Sequence, residues 1–145
     1  MTPDLMRDAD RGAATVFVVT FAVVLLVLAG LVVDGGLAIN ARQRVSDDVE
    51  QAARAGSQHL DVAALRNQGV VRIDPAASSS AARQFLLRRG YPASGIQVSS
   101  GPQQVTTTAT VSQPTALLSL IFIDTFTVTA TGQARPAVGI TGEAP

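Results

Sequence analysis

The chain has 145 residues, with eleven basic and eleven acidic side chains and no formal net charge. All eleven basic residues are arginine, no basic cluster exceeds the Arg88–Arg89 pair, and there is one tyrosine and no tryptophan, a composition that excludes a nucleic-acid binder. Cysteine is absent, so disulfides and thiolate metal sites are excluded, and a small fold must rest on packing alone.

From Ala13 to Val33 the chain carries no charge, and only Thr15, Thr20 and Gly30 interrupt the apolar run. At ~1.5 Å per residue the run reaches roughly 30 Å, the thickness of a bilayer core. It is apolar on every face, and the rest of the chain is too small to wrap it as a buried core helix. A cleaved secretory signal is the competing reading, with Arg7 and Arg11 as its basic region and Gly36-Leu37-Ala38 as its cleavage site. The run is longer than the usual ~7–15 residues of such a signal, and helical patterning continues beyond it. The sequence therefore reads as a transmembrane helix over 13–33, preceded by a tail over 1–12. Arg7 and Arg11 before the span nearly balance Arg42 and Arg44 after it. The short tail favours a cytoplasmic N-terminus.

Asp34-Gly35-Gly36 marks the membrane exit. An aspartate is costly in lipid and is expected where water begins. Each glycine costs a helix about 1 kcal/mol relative to alanine, so a hinge is expected there. Helical spacing then resumes as an amphipathic stalk over 34–60. Leu37, Ala41, Val45, Val49, Ala53 and Gly56 line one face, widened by Ala52 and Leu60. Arg42, Gln43, Asp47, Glu50 and Arg54 take the other, with Glu50 and Arg54 in the favourable i,i+4 order. Gly30, Ala41, Val45, Val49, Ala52 and Gly56 are candidate helix-packing positions, because small side chains let a second element approach closely.

Residues 61–138 read as a small distal α+β head of one helix and about three antiparallel strands, and 139–145 as a flexible tail. Val70 to Ile73 suggests a short strand. Asp74-Pro75 is a helix start, with Asp74 as N-cap, and the helix runs to Gly90. Ser78, Ser79 and Ser80 are expected on its exposed first turns. Strands follow at Ile96–Val98, at Val105–Val111, and around Phe126, Val128 and Ala130, with threonines alternating. The apolar run from Leu117 to Ile123 is too short to span a bilayer. It is either a short helix packed on the sheet, the favoured reading, or a patch near the membrane surface.

No convergent acids, bases or nucleophiles stand out. His59 is the single histidine, at a helix end, where a structural role is the ordinary one. Asp61, Asp74, Asp124 and Glu143 are scattered, and Asp47, Asp48 and Glu50 read as a solvated face beside arginines. A glycine-rich phosphate loop is missing. The expectation is a non-enzymatic protein with no catalytic residue, cofactor, metal site or small-molecule substrate.

Arg11-Gly12, the apolar run, Ala29 to Gly36, Ala41-Arg42-Gln43-Arg44 and Glu50 to Gly56 together resemble the TadE/TadG-like minor pseudopilins of tight-adherence (Flp) pilus systems, the actinobacterial members above all. The resemblance is strong over about residues 11 to 60. It implies a pilin-like architecture in the cell membrane, single-pass, with the N-terminus cytoplasmic and the head outside. It also implies a minor structural or assembly subunit of a surface filament or its secretion machinery. Its partners would be the membrane, other small single-span pilin-like subunits and the pilus assembly machinery. Prepilin-peptidase substrates in such systems carry glycine at the cleavage point and glutamate five residues on. Here Gly12 precedes Ala13, but the fifth residue after it is Phe17, which speaks against processing. The alternative is a membrane-anchored, adhesin-like extracytoplasmic binding protein with no filament role.

Overall fold

A computed structural model describes the backbone of residues 4–137 and the side chains of residues 12–137. The side chains of Arg7 and Arg11 and the expected tail 139–145 lie outside these. The fold is α+β. Helix α1 (Asp4–Ser57) is followed by α2 (Val62–Gln68), α3 (Pro75–Arg88) and strands β1 (Ile96–Ser100), β2 (Val105–Pro114) and β3 (Thr125–Ala134). The strands form one sheet in the order β1-β2-β3. β1 and β2 are antiparallel, with Ile96 opposite Ala109 and Val98 opposite Thr107. Across β2 and β3 the hydroxyl pairs Thr108–Thr131 (2.9 Å) and Thr110–Thr129 (3.0 Å) mark an antiparallel hairpin.

The chain forms two compact units. One comprises Met1–Leu37 with Pro114–Thr125, the other Ala38–Gln113 with Phe126–Pro145. The division falls just after Gly35-Gly36. α1 runs through both glycines as unbroken helix. A Cβ at either position would meet nothing within 4 Å, so neither glycine is there for packing.

The larger unit is built on the second half of α1. Val45, Val49 and Ala52 from α1 meet Ala82 and Leu86 from α3 and Ile96, Ala109 and Val128 from the three strands in one core. The apolar stripe of the stalk thus supplies part of the head's core. Two glycines allow the close crossings. At Gly56 a Cβ would lie 3.0 Å from Ser78 Oγ and 3.3 Å from Ala82 Cβ, so α3 crosses α1 nearly backbone to backbone. This buries Ser78 completely, contrary to its expected exposure. At Gly132 a Cβ would lie 2.6 Å from the Glu50 amide nitrogen, which puts β3 directly on α1.

Local signals set the element ends. Asp74 Oδ1 accepts from the amides of Ala76 (2.9 Å) and Ala77 (3.1 Å), with Pro75 in the first turn. Helix α2 was not expected. Asp61 caps it by accepting from the Ala64 amide at 3.0 Å, and Gly69 ends it at φ 65°. Val70 to Ile73 forms no strand. Only Ile73 bridges to Leu60, flanked by Asp61 N–H to Arg72 O (2.8 Å) and Asp74 N–H to His59 O (2.9 Å). The Glu50–Arg54 pair is present at 3.1 Å on an exposed face, where it adds about 0–1 kcal/mol.

The Gly132 crossing yields a direct test. Gly132→Ala is expected to destabilise the head by about 2–3 kcal/mol, since the new methyl meets helix backbone that cannot yield. Chemical unfolding of the detergent-solubilised chain reads it. An unchanged midpoint would mean that β3 does not lie on α1.

Candidate functional site

In the smaller unit the apolar half of α1 has almost no protein around it. Phe17 is 70% exposed and Val32 76%, and Val16, Leu26 and Leu31 are each more than half exposed. Phe17 and Phe21 stack along the helix with ring centroids 6.1 Å apart. An apolar surface this long is untenable in water and is what a lipid environment requires. Its most apolar window has a mean hydropathy of 3.2. Gly12 and Ala13 are exposed helix residues at its start.

One acid interrupts this surface. Asp34 is 2% exposed, covered by the chain itself. Its carboxylate faces the loop between β2 and β3. Oδ1 accepts from the Ala116 amide at 2.6 Å, and Oδ2 from the amides of Leu117 (3.0 Å) and Leu118 (2.7 Å). These are the free donors at the start of a 3-10 turn, Leu118–Ile121, so the aspartate acts as a cap supplied from another element. One turn before Asp34, a Cβ on Gly30 would come within 3.2 Å of Leu117 Cβ. Gly30 leaves the space in which the loop lies, and Asp34 holds it there. Within this unit the Leu117–Ile123 run forms a short 3-10 turn held against α1. Leu120, Ile121, Phe122 and Ile123 are all exposed, Phe122 to 94%.

A second polar cluster lies in the larger unit. The Tyr91 hydroxyl donates to Asp48 Oδ2 at 3.0 Å, and Arg89 Nη2 lies 3.4 Å from Asp48 Oδ1. Arg89 also donates to Gln51 at 3.3 Å and sits 5.5 Å over the Phe85 ring. Burial, then the hydrogen bond and negative charge of Asp48, push the Tyr91 hydroxyl up from 10.0 to about 12, against a lowering effect of Arg89. Asp48, Arg89 and Tyr91, with Ala41, Arg44 and Gln113, line a shallow groove. The cluster ties α3 to α1. It presents no paired acid and base, and among the described residues no group of three His, Asp or Glu side chains is placed to hold a metal.

The residues singled out from the sequence thus fall into two groups. Val45, Val49, Ala52 and Gly56, with Ala41 at the edge, are filled by the chain's own head. Gly30 is filled by the loop, and Asp34 is its clasp. His59 is exposed and bonds through its backbone only to Gly56 and Asp74. Sequence reading missed the partners of Asp34, which lie 82 to 84 residues away. The available signal was the acid itself, since a carboxylate at the end of an apolar helix requires a partner.

An exposed apolar helix of membrane-spanning length, continuing into the core of a small α+β head, fits a single-pass anchor with a compact appended domain. Residues 12–66, covering α1 from Gly12 and most of α2, match the family model described as Tad, putative Flp pilus-assembly TadE/G-like. That stretch of the chain is similar to the family named from the sequence resemblance, and the sheet lies beyond it. No curated protein and no solved structure matches the chain.

The clasp has a measurable energy. Asp34→Ala leaves three amides without their acceptor and is expected to cost the loop about 2–4 kcal/mol. Amide hydrogen exchange at Ala116, Leu117 and Leu118 should accelerate strongly, with Leu86 and Ala109 in the head unaffected. Unchanged exchange at the three loop amides would refute the clasp.

Proposed function

We propose that this chain is a minor pilin-like assembly subunit of a Tad/Flp-type surface filament, anchored in the membrane by residues 13–33. The TadE/G-like match over residues 12–66 is the observation that carries the reading, because it falls on the anchor and on the helical stripe that builds the head. The N-terminus faces the cytoplasm and the head is exported, as the pilin-like architecture implied by the resemblance would have it. Partners are the pilus assembly machinery and other small single-span subunits, met through the exposed apolar face of α1, since the small-residue positions further along are already filled from within the chain. Gly12 is cleaved inefficiently or not at all. In a pilin the glutamate five residues on compensates a neighbouring subunit's amine, and Phe17 has no charge to do so. The chain therefore acts from the membrane rather than inside the filament shaft, and it carries out no catalysis.

Removal of the chain from its cell is expected to reduce surface filaments while the other subunits remain in the membrane. An export-dependent reporter should be active when fused after Glu143 and silent before Asp4, and the intact mass should include the residues before Ala13. Undiminished filaments would contradict the assembly role. The opposite reporter pattern would contradict the orientation, and a dominant species beginning at Ala13 the retention.

A further inference from the structure

Residues 115–123 read Thr-Ala-Leu-Leu-Ser-Leu-Ile-Phe-Ile, with no charge. The loop turns its large apolar side chains outward. Leu120 is 65% exposed and Phe122 94%. The polar groups are turned inward. The amides of Ala116, Leu117 and Leu118 go to Asp34, and Thr115 N–H goes to Asp124 O at 2.9 Å. Leu120, Phe122 and Ile123 donate to Leu117, Ser119 and Leu118 within the loop, each at 3.1 Å. Both hydroxyls are also bonded, Thr115 Oγ1 to Ile123 O at 2.5 Å and Ser119 Oγ to Ala116 O at 3.4 Å. A loop facing water has no need to satisfy its backbone internally. Non-helical backbone at membrane depth does, since lipid offers no hydrogen bonds.

The depth of the loop follows from its attachment. Leu117 lies against Gly30, three residues inside the apolar run that ends at Val33. At ~1.5 Å per residue this is only about 5 Å inward from the end of the hydrophobic stretch. Leu31, Val32 and Val33 at the same level are themselves exposed, so whatever surrounds the helix there also reaches the loop. Phe122 adds a further sign. It is the only non-glycine residue with positive φ among those described, at 65°, a costly backbone for a bulky side chain that touches almost nothing in the chain.

From these observations we infer that the loop 115–123 is a second membrane contact, whose Leu120–Phe122 tip seats in the bilayer at the boundary of hydrocarbon and headgroups beside the end of α1. The inference rests on the membrane-spanning reading of α1. The occupant is lipid, because the exposed tip continues the surface of a helix that lipid already covers. Asp34 then has a role beyond satisfying its own charge, for it presents the loop to the membrane at a set depth.

The chain has no tryptophan, so a single introduced one reports alone. Full-length Phe122→Trp, Val24→Trp in the apolar run and Thr127→Trp on the exposed side of β3 are reconstituted in phosphatidylcholine vesicles with and without brominated acyl chains. Replacing Phe122 removes almost no intramolecular contact, so folding is not at stake. The expected result is strong quenching at Val24→Trp, clear quenching with blue-shifted emission at Phe122→Trp, and none at Thr127→Trp. Quenching at Val24→Trp alone overturns the inference and leaves the span standing. Blue-shifted but unquenched emission at Phe122→Trp would mean that a second copy covers the loop, which also overturns it. Equal quenching at Phe122→Trp and Thr127→Trp would place the whole head on the bilayer and remove any special role for the loop. An unquenched Val24→Trp overturns the span, and the loop contact with it.

Discussion

A helix that is apolar on every side must be surrounded by something, and this chain has too little else to surround it. That constraint divides α1 by solvent. Over residues 13–33 its side chains stand exposed and call for lipid. Beyond Ala38 the same helix narrows to a stripe of Val45, Val49 and Ala52, which a small α+β head covers completely. The head has no cysteine to staple it and draws its core from the helix stripe together with α3 and the three strands.

Asp34 shows how the constraint acts on a single polar group. A carboxylate one residue past an uncharged run cannot remain unpaired, and burying it without partners would cost several kcal/mol. The chain meets this with three backbone amides from a distant loop rather than with an arginine. The bonds are reciprocal in effect. The acid gains its donors, and the first turn of a 3-10 segment gains its cap. The loop then exposes apolar side chains while most of its amides are bonded within the chain.

Much of this was legible in the residues because the signals were local. The uncharged run from Ala13 to Val33, the Asp74-Pro75 helix start, and the alternation of Val105, Thr107 and Ala109 each depend on neighbours a few positions away. The match over residues 12–66 likewise follows the apolar run, the Asp-Gly-Gly exit and the alanine-rich stripe. What escaped reading was long-range. The pairing of Asp34 with Ala116–Leu118 and of Tyr91 with Asp48 joins groups that no spacing rule connects. Ser78 looked exposed because serines in a first turn usually are, and only the proximity of Gly56 buries it. The Leu117–Ile123 run was ambiguous for the same reason: its composition says apolar, and only the position of Asp34 says against what. Helix α2 is a different case. Its caps, Asp61 and Gly69, emerge only from the structure, since seven residues are too few for periodicity to register.

The central claim is that one helix serves lipid with its first half and the head's core with its second. Amide hydrogen exchange of the full chain in lipid nanodiscs tests both at once. Residues 13–33 should be protected by the bilayer, and the Val45–Ala53 amides should exchange at the slow rate of Leu86 and Ala109, opening with them as one unit. Val45–Ala53 amides that exchange far faster than those of Leu86 and Ala109 would contradict the account, for the helix would then be a stalk and the head would hold together without it.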